Sequence, residues 1–298
     1  MSPTRPPVAP EPATGELVHP LAQFFAPIRK TRAERYASYR PGATAPKRRA
    51  ALTMVHDEPV FLPIWLRYHQ RFFAPEDIYV LDNDTTDGST DRQGFVRIPV
   101  SHNRVDHVWM VETIQAKQRE LLENYEVVLT TDVDEIVAPS PGWGTLGDYI
   151  DRFDEEWVNC LGYEVLHLPD REAPLDLDRP LLAQRRYWFA NDGYDKAALA
   201  SVPVGWKTGF HGREDERWNL DPDLRLVHLH RIDHDICMDR HVTRRLRDWD
   251  AADLQASWAK HNLLTGGDEF ERWFLEDSSS VGIDIHLEPI PDDWRRLL

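Results

Sequence analysis

The chain has 298 residues, a formal net charge of −16, 41% hydrophobic residues and two cysteines. That length allows one large domain or two small ones with a real core, and no apolar run is long enough for an integral membrane segment. Cys160 and Cys237 cannot build a disulfide scaffold and the N-terminus lacks the apolar stretch of a signal peptide, so a reducing, cytoplasmic setting is expected.

Charge is unevenly spread. Residues 1–49 hold nine Lys/Arg, three acids and nine of the 22 prolines. This Pro-rich, basic arm has little to bury and is expected to be partly disordered, a solvated tail in preference to a lipid-binding one. The remaining residues carry 26 basic and 48 acidic side chains, about −22. Such a body repels polyanions, so no nucleic-acid partner is expected. It also repels a phosphorylated substrate unless a cation intervenes.

From residue 50 the pattern is α/β. Residues 50–56 (AALTMVH) read as a buried strand and 58–73 as a helix with Val60, Phe61, Ile64, Trp65 and Tyr68 at helical spacing. Residues 77–81 and 95–100 follow as strands, 108–124 as an amphipathic helix and 126–131 (EVVLTT) as a buried strand. This alternation predicts a mainly parallel central sheet with flanking helices, and ligands beyond the carboxyl ends of its strands. Further on, 145–153 reads as helix, 157–168 as a long strand, 170–223 as aromatic-rich loops, 224–230 as strand and 238–264 as two polar helices. The body is expected over 50–277, with 278–298 as a C-terminal tail.

Three acidic clusters fall at predicted strand ends. In Thr131-Asp132-Val133-Asp134-Glu135 two carboxylates at i and i+2 lie on one side of an extended chain, able to hold a hard divalent cation with its phosphate ligands. The run from Asp82 to Ser89, with Asn83, Asp84 and Gly88, is built of turn-formers, and Asp82 can accept hydrogen bonds from a base or ribose. His56-Asp57-Glu58 ends the first strand, where Asp57 is also placed to cap the following helix.

In this order the motifs resemble the family 2-like glycosyltransferases of the GT-A fold, in the branch with an NDxTDGT-type turn and a DVDEF-type metal motif, which is also similar to family 92 enzymes. The similarity is strongest over about residues 50–140 and continues through GYEVLH, KTGFH and LVHLHRID. The resemblance implies transfer of a hexosyl-type sugar from a nucleotide-diphosphate donor, a UDP-sugar by the habit of the relatives, to a hydroxyl of a carbohydrate or other acceptor. It implies that Glu58 and Asp82, with His56 and Asp84 beside them, contact the nucleoside. Asp132 would lie against the ribose or donor sugar, and Asp134 would ligate Mn2+ or Mg2+. His56-Asp57-Glu58 and Ile136 depart from the usual residues without removing a carboxylate.

His228 and His230 share one face of a strand. A C-terminal histidine often completes the metal site in GT-A enzymes, so the resemblance offers His230 or His211 as a further ligand. Direct displacement with inversion needs a carboxylate near the acceptor hydroxyl; Glu164, Asp233 and Asp215, the last in a Glu214-Asp215 pair resembling the family's acidic pair, are the candidates. Lys207 or Arg213 is placed to help neutralise the diphosphate. Two other readings stay open. One is a metal-dependent phosphoesterase built on His228, His230, Asp233 and Asp235; the other is an inactive nucleotide-sugar-binding module.

Overall fold

The computed structural model describes residues 46–256, 260–277 and 285–298. Strand β1 (Arg49–Val55) is buried from Ala50 onward because parallel strands flank it on both edges. These are β2 (Ile78–Asn83) and β4 (Val127–Thr130), and β3 (Val96–Val100) lies outside β2, also parallel. Helix α1 (Phe61–His69) covers one face, burying Phe61, Leu62, Ile64 and Trp65 with Ala51, Val127 and Leu129. Helix α2 (His107–Leu121) covers the other, where Val111, Ile114 and Leu121 meet Ala50, Leu52 and Val128. Strands covered on both faces read as unbroken apolar runs, which is why these were legible.

The order β3-β2-β1-β4 means that the chain winds outward from β1, then returns to lay β4 on the opposite edge of β1. A topological switch point therefore lies between β1 and β4, and a crevice opens beyond their carboxyl ends. The clusters at His56–Glu58 and Asp132–Asp134 stand at these two ends.

The second half extends the sheet with β5 (Glu135–Pro139), β6 (Trp157–Leu166), β7 (Tyr187–Ala190), β8 (Ala197–Ala200), β9 (Leu220–His228) and β10 (Glu288–Pro289). It also carries helices α3 (Leu146–Asp151), α4 (His234–Arg245), α5 (Ala251–Ala256) and α6 (Gly267–Glu276). β8 bridges β4 and β6 with antiparallel pairing on both sides, and β9 runs parallel to β6 and antiparallel to β5. Two short strands thus lie inside the stretch read as loops. Ala197–Ala200 (AALA) lacks β-branched residues and becomes a strand because both neighbours offer it a ladder. Helix α4 starts earlier than its pattern suggested, because the Asp233 carboxylate caps it by accepting from Asp235 N and Ile236 N.

Residues 1–45 of the proposed arm and 278–284 of the proposed tail lie outside the described residues. Residues 285–298 pack on the body: β10 pairs with β7, and Ile290 and Trp294 are buried in the core. Both cysteines are free and buried. No helix among the described residues is long and apolar enough to cross a membrane.

Candidate metal centre

A cavity of about 860 Å3 occupies the switch-point crevice. Its walls include His56, Asp57 and Glu58 after β1, Asp132 and Asp134 after β4, and His228 and His230 at the end of β9. The register explains this convergence. His228 pairs with Glu135 of β5 on one side and Glu164 of β6 on the other, and Leu229 N donates to the Asp134 carbonyl at 2.8 Å. The chain thereby folds His228, the last residue of β9, and His230, in the turn beyond it, onto the carboxylate that follows β4.

Asp134 Oδ2 lies 3.5 Å from His228 Nε2 and 3.6 Å from His230 Nδ1, and the three side chains form a buried group able to hold a metal ion. Their proton positions follow from the next partners out. His228 Nδ1 donates to Glu164 Oε2 at 2.7 Å, which turns Nε2 towards Asp134. His241 Nδ1 lies 2.9 Å from the Leu264 carbonyl and so carries the proton, leaving His241 Nε2 as acceptor. His230 Nε2, at 2.8 Å, is the donor to it. In a neutral imidazole one nitrogen donates and the other accepts, so His230 Nδ1 presents a bare lone pair to Asp134. Burial first, then His241, Arg240 and Arg244, keeps His230 neutral with its pKa well below the usual value.

Burial opposes ionisation of Asp134, but the Arg240 guanidinium and His228 outweigh it and hold the carboxyl well below the ordinary range. Burial likewise opposes charge on His228, yet Glu164 and Asp134 raise it to about 10, so a metal ion would take the place of the proton on Nε2. Two imidazoles with second nitrogens anchored by other groups, plus one ionised carboxylate, are a fitting donor set for a divalent ion.

Positive charge enters from α4, from Arg247 just after it and from Lys196 just before β8. Arg240 makes two hydrogen bonds to Glu58 Oε1, at 2.7 and 2.9 Å, and a third to Asp134 Oδ2. Arg244 Nη2 reaches the same Glu58 oxygen at 3.3 Å, and Arg247 follows on the cavity wall. Lys196 bridges Asp132 Oδ2 and Glu135 Oε1, each at 2.6 Å. Burial raises Glu135 to about 7, with Lys196 acting against it.

The remaining predicted residues fall in different places. His211 lines the cavity, exposed, with Nδ1 bonded to the Gly193 carbonyl, outside the Asp134 group. Asp132 lines it too, 40% exposed, its carboxylate on Lys196 rather than in that group. Asp82 does not line the cavity; Thr85 N, Thr90 Oγ1 and Arg97 Nε occupy its carboxylate. Asp84, at φ +55°, accepts from Ser101 Oγ. Asp57 does not cap α1 but accepts from Thr86 N and Asp87 N, pinning the turn after β2. His56 Nδ1 donates to the Asn83 carbonyl at 2.6 Å, tying the ends of β1 and β2 together.

None of the three candidate bases lines the cavity. Glu164 is fully buried behind His228; Asp233 caps α4 and pairs with Arg185 at 3.0 Å; exposed Asp215 pairs with Arg213 at 2.6 Å. Lys207 also lies off the cavity, on Glu216 at the surface. Asp233 and Asp235 do not join the histidine group. Sequence reasoning passed over Arg240 and Arg244, one turn apart on α4, and Arg247 just beyond its end. It also passed over Lys196, which nothing local distinguishes.

No family model matches the chain, and no curated protein matches it. Among solved structures it is similar to a mannosyltransferase from Pyrobaculum calidifontis in complex with GDP-Man and Mn2+, at 16% identity and TM-score 0.38, covering 87% of this chain and 93% of that one. It is also similar to glucosyl-3-phosphoglycerate synthase from Mycobacterium tuberculosis in complex with Mn2+, UDP and glucosyl-3-phosphoglycerate, at 14% identity and TM-score 0.35, covering 85% and 93%. A galactosyltransferase, LgtC, solved with donor and acceptor sugar analogues, matches 39% of this chain and 46% of its own at 15% identity and TM-score 0.22. Likeness this loose leaves the weight on the residues of the cavity.

Proposed function

We propose that the chain is a metal-dependent glycosyltransferase of the GT-A type, taking a sugar from a nucleoside-diphosphate donor to an acceptor hydroxyl in the cytoplasm. The observation that carries this reading is the Asp134–His228–His230 group at the switch point of the parallel sheet. Asp134, His228 and His230 would hold the ion, Mn2+ or Mg2+. When bound, such an ion stabilises the charge that develops on a departing diphosphate.

The rest falls to the chain itself. Arg244 and Arg247 extend positive charge along the cavity wall, offsetting the −16 of the whole molecule for an anionic donor. Asp132, held by Lys196, and Glu58, held by Arg240, both line the cavity, and in this reading Asp132 would meet a ribose or donor sugar and Glu58 the nucleoside. If the reaction inverts, Asp239 is the base we favour: it lines the cavity, is exposed, and its carboxylate has no hydrogen bond or ion pair among the described residues. Glu164 then acts through His228 rather than on the acceptor.

Calorimetric titration of UDP, GDP and dTDP, each with and without Mn2+, tests the proposal. Metal-dependent binding of one nucleotide is expected and would identify the donor class. No binding to any, by folded protein, would overturn it.

A further inference from the structure

The two ring nitrogens of His230 face two different donor sets. Nδ1 faces Asp134 and His228, while Nε2 faces His241, with Cys237 Sγ 3.8 Å from His241 Nε2. His230, Cys237 and His241 form a second buried group whose ligand atoms lie within 4.8 Å of one another. Cys237 and His241 are one turn apart on α4, so their side chains share a face. The front set carries an oxygen donor and the back set carries sulfur.

We propose that this back set binds a thiophilic divalent cation such as Zn2+ or Cd2+, and that occupying it disables the front set. The thiolate sulfur, absent from the front set, selects such ions over Mn2+ or Mg2+. Tetrahedral coordination at usual bond lengths separates sulfur and nitrogen ligands by about 3.5 Å, and two nitrogens by about 3.4 Å. The 3.8 Å between Cys237 and His241 is near the first value. The 2.8 Å between His230 and His241 is a hydrogen bond that opens by about half an ångström as the cation replaces its proton. His230 lines the cavity, as do His261 and Trp273, so an ion reaches the back set from there. His261 is stacked on Trp273 with ring centroids 5.1 Å apart, and its ring centroid lies 5.8 Å from that of His230.

The proton balance gives the coupling. Cys237 loses its thiol proton to solvent and binds as thiolate. His230, ligated through Nε2, moves its single ring proton to Nδ1, where N–H points at Asp134. The lone pair that completed the front set is gone, so the two sets exclude each other through one imidazole. This rests on the front set being the Mn2+ site proposed above.

Cd2+ titration of the full-length, metal-free protein tests this, read by the ultraviolet thiolate-to-cadmium charge-transfer band and, in parallel, by the electron paramagnetic resonance signal of Mn2+. In the wild type one equivalent of Cd2+ should produce the band and weaken Mn2+ binding at least tenfold. In Cys237→Ser the band should vanish and Mn2+ affinity should stay within about twofold of its Cd2+-free value. Cys237→Ala provides a second variant, each accepted only if its melting temperature shows a folded protein. Absence of the band in the wild type, or equal loss of Mn2+ in wild type and variants, would overturn the proposal. Failure of Mn2+ to bind the metal-free wild type would instead count against the transferase reading, while the cadmium band would still report on the back set.

Discussion

Glu164 and His228 face each other across the parallel β6–β9 register, with Glu164 Oε2 2.7 Å from His228 Nδ1. The carboxylate is completely buried, and its other oxygen accepts from Arg231 N at 3.2 Å. It cannot meet an acceptor, but it decides which nitrogen of His228 looks into the cavity. Partners of this kind typically contribute 10–100-fold in metal affinity. Glu164→Gln should therefore weaken Mn2+ binding by about that factor while the nucleotide still binds whatever metal-loaded protein remains. Mn2+ affinity unchanged in a folded variant would refute the positioning role.

Asp134 is the single carboxylate of the front set. Asp134→Asn keeps the shape and removes the charge, so Mn2+ affinity should fall by about 100-fold or more, and nucleotide binding should lose its metal dependence. Titrating Mn2+ into wild type and variant settles this independently of any acceptor.

Arg240 serves two buried carboxylates at once, Glu58 and Asp134. Removing one partner of a buried ion pair strands the other, a loss of about 3–5 kcal/mol. Arg240→Met should lower the unfolding free energy by that order in the absence of metal. Mn2+ should recover part of it, because the ion replaces the lost countercharge on Asp134. Urea unfolding with and without Mn2+ measures both effects; equal loss in the two conditions would separate Arg240 from the metal centre.

His69 offers a pH test away from the cavity. It is fully buried against Trp65, with Nδ1 bonded to the Trp65 carbonyl at 2.8 Å and no partner for Nε2 among the described residues. Burial pushes its pKa down to about 3 from 6.5. Below pH 6.5 the unfolded chain therefore binds a proton that the folded chain refuses. This contribution is fully present above 6.5 and is lost as pH falls towards 3, at about 1.4 kcal/mol per pH unit below 6. His69→Phe should reduce the difference in unfolding free energy between pH 7.5 and 5.0. An identical difference in wild type and variant would show that His69 does not carry it.

The parallel half of the sheet was written locally. AALTMVH, DIYVL and EVVLTT are apolar runs because β1, β2 and β4 are covered on both faces, and burial of that kind leaves its mark on every residue. The position of the acidic clusters at strand ends was legible for the same reason, and it led to Glu58, Asp132 and Asp134 on the cavity wall.

What the residues do there depended on long-range register. Glu164 stands 64 residues from His228, and Arg240 stands 182 from Glu58 and 106 from Asp134. No periodicity can pair side chains across such separations, because the pairing is set by which strand edges and helix faces meet. Thus Asp82, turned by sequence towards a ligand, is taken by Arg97 and Thr90, while Asp233 becomes a helix cap. The sequence by itself determined the α/β core and where its chemistry would gather; only tertiary packing decided which acids keep a free face and which spend theirs on neighbouring donors.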